Sequence, residues 1–100
     1  MRINSYLVLI LTESEIPMQV LATVPCLTRD DASTLNTRIF QNYVESDDPS
    51  SNIDLRSCVR CSKDCGFYVE VAVGLGEGEM LSFDELDFVY NCVRLACRSF

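Results

Sequence analysis

Six cysteines in 100 residues, Cys26, Cys58, Cys61, Cys65, Cys92 and Cys97, are the side chains of this chain best suited to chemistry. Cys58-x-x-Cys61-x-x-x-Cys65 sets two thiols at the spacing of a zinc knuckle and a third across a turn. These are three legs of a tetrahedron that Cys92 or Cys97 would complete. Two features weigh against it. Cys92 and Cys97 fall on a predicted helix without a second Cys-x-x-Cys, and in an unbroken strand Cys58 and Cys61 point to opposite faces. Free thiols packed as small hydrophobes are the favoured reading, so no bound metal and no cofactor are expected. A dithiol redox site is weaker still, because such a motif should open a helix whose N-terminus stabilises the thiolate, and here it closes a strand.

Other arrangements carry less. The chain has no histidine, which removes Ser-His and Cys-His nucleophiles, imidazole proton transfer and His-ligated zinc. Gly74-Leu75-Gly76-Glu77-Gly78 has the look of a phosphate-cradling loop only in its spacing. It lacks the lysine of a P-loop, and Glu77 and Glu79 would repel phosphate, so a turn is expected. Asp84, Glu85 and Asp87 could be paired acids, but acids in a first helical turn normally serve as caps and dipole partners. No catalytic residue is assigned, and the chain is not expected to be an enzyme.

The elements that would position these residues follow from periodicity. A single α+β domain over 1–100 is expected, a mainly antiparallel β-sheet with helices packed on one face. Tyr6 to Thr12 and Met18 to Val24 are predicted strands joined as a hairpin, with Pro25 closing the second. Thr28 caps a helix to about Glu45 with Ala32, Leu35, Ile39 and Tyr43 on one stripe; Phe40 to Val44 could instead leave it as a short strand. After the polar turn 46–52, Ile53 to Cys61 and Phe67 to Leu75 alternate as a second hairpin. In the first of these, Ile53, Leu55, Val59 and Cys61 share a face; in the second, Tyr68, Glu70 and Ala72 alternate with the valines. Ser82-Phe83-Asp84-Glu85 is a capping box, and Leu86, Val89, Val93, Ala96 and Phe100 form the apolar stripe of the last helix.

Charge and the N-terminal strand bear on partners. Eight Lys and Arg against fifteen Asp and Glu give a net charge of −7, which repels phosphate backbones and anionic membranes. No run of about twenty apolar residues exists to span a membrane. The apolar stretch before Thr12 is short and lacks a small-residue cleavage site, so a cytoplasmic location with reduced thiols is expected. The predicted first strand is apolar on both faces, Leu7, Leu9 and Leu11 on one and Tyr6, Val8 and Ile10 on the other. Either both faces are core, or one docks a polypeptide client or a second copy of the chain; Tyr6, Leu7, Val8, Leu9, Ile10 and Leu11 are the candidate partner-binding residues.

About three-quarters of the chain resembles the YbjN-like and type III secretion chaperone-like superfamily. The residues that carry the likeness are Val24-Pro25, Leu35-Asn36 in the first helix, the hairpin ending near Leu75, and Gly78-Glu79-Met80-Leu81-Ser82-Phe83-Asp84-Glu85-Leu86 leading into Val89-Tyr90-Asn91-Cys92-Val93. The resemblance implies a small acidic cytosolic protein without catalytic residues, often dimeric, that acts as a chaperone or regulator by binding polypeptides through apolar surface. A second resemblance, to the zinc-binding domain of papillomavirus early oncoproteins, rests on Cys58-x-x-Cys61, a hairpin and a helix ending at Cys97. It implies a zinc-stabilised regulatory adaptor, although the second Cys-x-x-Cys of that domain is missing.

Overall fold

The computed structural model describes residues 18–64, 66–76 and 78–98. In chain order the elements are β1 (Met18–Cys26), α1 (Arg29–Val44), a 3-10 turn at Pro49–Ser51, β2 (Asp54–Ser62), β3 (Gly66–Gly74) and α2 (Phe83–Cys97). The expected α+β class is what is found: a three-stranded antiparallel sheet in the order β1-β3-β2 with both helices against it. The predicted strand Tyr6 to Thr12, and its hairpin with Met18 to Val24, lie outside the described residues.

The last strand in sequence takes the centre of this sheet. β2 and β3 form the expected hairpin, from Ser62 opposite Gly66 to Asp54 opposite Gly74. Gly66 has φ 71, a left-handed turn conformation that glycine adopts without a Cβ clash. The other edge of β3 pairs with β1, so β1 and β2 run parallel to each other with β3 between them, and α1 makes the crossover. Pro25 does not close β1 as expected. The strand runs on to Cys26 with Pro25 opposite Tyr68, because β1 has a ladder partner on one side only among the described residues, and a residue without an N–H is tolerated on an open edge. An irregularity between Val20 and Ala22 adds a residue to β1.

Val69, Val71 and Val73 of β3 are 0% exposed and form the floor of the core under the helices. From α1 come Ala32, Leu35 and Ile39, all on the anticipated stripe, while Tyr43 is half-buried and donates its hydroxyl proton to the Ile53 carbonyl at 2.5 Å. Helix α1 begins where Thr28 accepts from the Asp31 N–H at 3.1 Å. It stays helical through Phe40 to Val44, which settles the strand alternative: the Glu45 N–H still bonds the Gln41 carbonyl. Helix α2 opens on the expected capping box. The Ser82 N–H donates to Glu85 Oε1 at 2.8 Å, and the Glu85 N–H donates to Ser82 Oγ at 3.1 Å.

The buried stripe of α2 is broader than the sequence stripe and turned relative to it. Val89, Val93 and Ala96 are buried as expected, together with Phe88 and Cys92, whereas Leu86 is only half-buried. The reason is that α2 faces α1 as well as the sheet. Tyr43 and Phe88 have ring centroids 6.2 Å apart, and Asn42 Nδ2 donates to the Cys92 carbonyl at 2.9 Å. Phe88, not Leu86, is therefore the anchor: Phe88→Ala is expected to cost about 3–5 kcal/mol, Leu86→Ala less than half of that, and Ser82→Ala about 1 kcal/mol through the lost cap, all checked by urea denaturation midpoints.

Candidate functional site

A small cleft opens where β1 ends, α1 begins and α2 ends. It has a volume of about 210 Å3 and is lined by Val24, Pro25, Cys26, Leu27, Asp31, Leu35 and Cys97. Local structure explains why the corner stays open. Pro25 and Cys26 finish β1, Leu27 and Thr28 form a bend, and the Thr28 cap turns the chain into α1 so that Asp31 and Leu35 face back toward the strand. Leu27 at the bend is 95% exposed although it borders the cleft.

The chemistry of the cleft is apolar walls with two thiols and one carboxylate. Burial pushes the Cys26 thiol up, and the charges of Asp31 and then Cys97 add to that shift, so Cys26 is held as the neutral thiol. Its Sγ–H points back to the Val24 carbonyl at 3.6 Å. Ligand sites for small molecules commonly enclose about 300–1,000 Å3, so this cleft is sized for a single large apolar side chain.

On the opposite face of the sheet from the helices, β3 presents Tyr68, Glu70 and Ala72, and all three are buried. Glu70 is 1% exposed, and its Oε2 has no hydrogen-bond partner among the described residues. Burial pushes the Glu70 carboxyl up, opposed by the Arg60 guanidinium on the neighbouring strand. This buried acid was missed in the sequence. The available signal was that Glu70 sits in the middle of the most apolar of the described strands, a pattern that fits a central position.

The cysteine motif does not assemble. β2 continues through Ser62, so Cys58, opposite Glu70, and Cys61, opposite Phe67, project to opposite faces. Cys65 lies outside the described residues, and Cys92 is in the core. Among the described residues no three metal-ligating side chains converge. Burial is the largest influence on Cys58 and on Cys92 and pushes both thiols up, away from the thiolate that a metal or an electrophile needs. The glycine segment makes a turn: the Glu79 N–H bonds the Gly76 carbonyl at 3.0 Å, and Gly78 has φ 78. Of the acids, Glu85 is spent in the capping box. Tyr6, Leu7, Val8, Leu9, Ile10 and Leu11 lie outside the described residues. Among the exposed apolar side chains that were not anticipated are Leu27, Met80 and Phe83, the last two each 88% exposed just before and at the start of α2.

No family model, curated protein or solved structure matches the chain.

Two expectations follow. Because the folded-state pKa of Glu70 is raised above its ordinary value of 4.5, the folded protein holds a proton that the unfolded chain has released, and stability falls as pH rises from 4.5 through the folded pKa. Glu70→Gln should be more stable than wild type at pH 7 and lose that decline, as followed by thermal melts from pH 4 to 8. Protein purified without chelator should carry far less than one zinc per chain by elemental analysis. Cys58→Ser combined with Cys61→Ser should melt within about a few degrees of wild type, whereas stoichiometric zinc with unfolding by chelator would support the adaptor reading instead.

Proposed function

We propose that this chain is a non-enzymatic protein-binding module, chaperone-like or regulatory, that holds a polypeptide partner through apolar surface. The cleft between β1, α1 and α2 carries the reading: apolar walls sized for one side chain, with Leu27 almost fully exposed at its border. An extended or helical partner segment would anchor one bulky apolar residue there, the pattern in which a few buried anchors supply most of the binding energy. Met80 and Phe83, at the opposite end of α2 from Cys97, form a separate exposed apolar pair. Among the described residues that line the cleft the one carboxylate, Asp31, stands beside a thiol held neutral, which supports binding over acid-base chemistry.

The same proposal includes Tyr6, Leu7, Val8, Leu9, Ile10 and Leu11 as partner-binding residues, a cytoplasmic setting and self-association as a homodimer. Among the described residues no helix is long and apolar enough to cross a membrane. With a net charge of −7, the chain would resist bulk aggregation while offering an apolar patch.

The test is a peptide array of overlapping segments, probed with wild type, Leu27→Asp and Leu9→Asp, alongside light scattering at micromolar concentration. Wild type should retain peptides that contain a bulky apolar residue. Leu27→Asp, at an exposed position, should weaken that binding by roughly tenfold or more without lowering the melting temperature. Leu9→Asp should shift a dimer toward monomer. A monomeric wild type that retains no peptide sinks the proposal.

A further inference from the structure

Cys26 is the last residue of β1, Cys97 is the last residue of α2, and both border the same cleft. The other described cysteines are placed apart from this pair and from one another: Cys58 and Cys61 on opposite faces of β2, Cys92 in the core. All five are free thiols. The pair differs in access, Cys97 being exposed and Cys26 half-buried, which is the division of labour between an attacking and a resolving thiol. Each stands where its element gives way to a bend or turn, so drawing the two sulfurs together breaks little regular hydrogen bonding.

We propose that Cys26 and Cys97 are a dithiol modification site that closes to an intrachain disulfide by exchange with a low-molecular-weight disulfide. The Cys97 thiolate attacks one sulfur of the small disulfide, whose S–S bond breaks, and the first small thiol leaves as its thiolate with the electron pair. Cys26 then gives its proton to water and attacks Cys97 Sγ in the mixed disulfide, expelling the second small thiolate. Both leaving thiolates take up the protons that the two cysteines released. Two protein thiols are oxidised and one small disulfide is reduced to two thiols. Asp31, which lines the same space, and burial keep Cys26 protonated, which fits it to act second. This site is independent of what the cleft binds.

The experiment uses the full reduced chain, treated with oxidised glutathione at pH 8 with and without denaturing urea, quenched with N-ethylmaleimide and digested with trypsin without reduction. Trypsin isolates Cys26 in the peptide Ile3 to Arg29 and Cys97 in Leu95 to Arg98, so their linkage is read by mass without ambiguity. The native protein should give that linkage as its main disulfide and form it at least roughly tenfold faster than the protein in urea. Cys26→Ser should leave Cys97 trapped as the mixed disulfide with glutathione. The proposal is overturned if native wild type gives only separate glutathione adducts, if its main linkage runs through Cys58, Cys61, Cys65 or Cys92, or if the Cys26–Cys97 linkage forms no faster than in urea. Because the wild-type map alone decides between these outcomes, a variant that fails to fold does not remove the test.

Discussion

A strand that is hydrogen-bonded along both edges and buried on both faces leaves its neighbours few choices, and β3 is such a strand. With β1 on one side and β2 on the other, its backbone groups are engaged in ladders. Val69, Val71 and Val73 then need an apolar cover on one face, which only two helices lying side by side supply. The stripe of α1, the broad buried face of α2 and the Tyr43–Phe88 contact between them are all answers to that demand. On the other face the same strand carries Glu70 into a buried position, where a carboxylate is costly unless well paired.

The cleft is a by-product of how the layers end. Where α1 begins and α2 ends, beside a strand that finishes in a proline and a cysteine, one corner is left uncovered. The residues available to line it are those at chain ends of elements, Cys26, Leu27 and Cys97 among them. In this chain those positions carry apolar and thiol groups, with Asp31 of the first turn of α1 as the charge beside them.

Local signals were the legible part of the sequence. The Ser82 and Glu85 reciprocal cap, the Thr28 cap and the hairpin before Gly66 each involve residues within four positions of one another, and each formed as anticipated. Errors came where a distant partner decides. Pro25 looked like a strand end because its tolerance depends on the edge being open. Leu86 lies on the apolar stripe and Phe88 beside it, and the packing of α1 against α2 is what buries Phe88 the more deeply. The burial of Glu70 went unread because alternation says which face a residue takes and nothing about what covers it. The cleft itself could not be read at all, since it joins residues from opposite ends of the described chain.

The order of the strands also has a kinetic side. The β2–β3 hairpin closes a loop of about four residues at Ser62 and Gly66, whereas the nearest β1–β3 pair, Cys26 and Phe67, closes one of roughly forty. With loop entropy growing as (3/2)RT ln n, the second closure costs about 2 kcal/mol more. It is repaid only once α1 has also docked. β1 is thus the strand whose detachment returns the most chain freedom, and its amides are the ones to exchange with solvent through partial opening while β2, β3 and α2 stay assembled. The cleft stands at the end of that strand, so its shape shares in those openings rather than in the rigidity of the valine floor beside it.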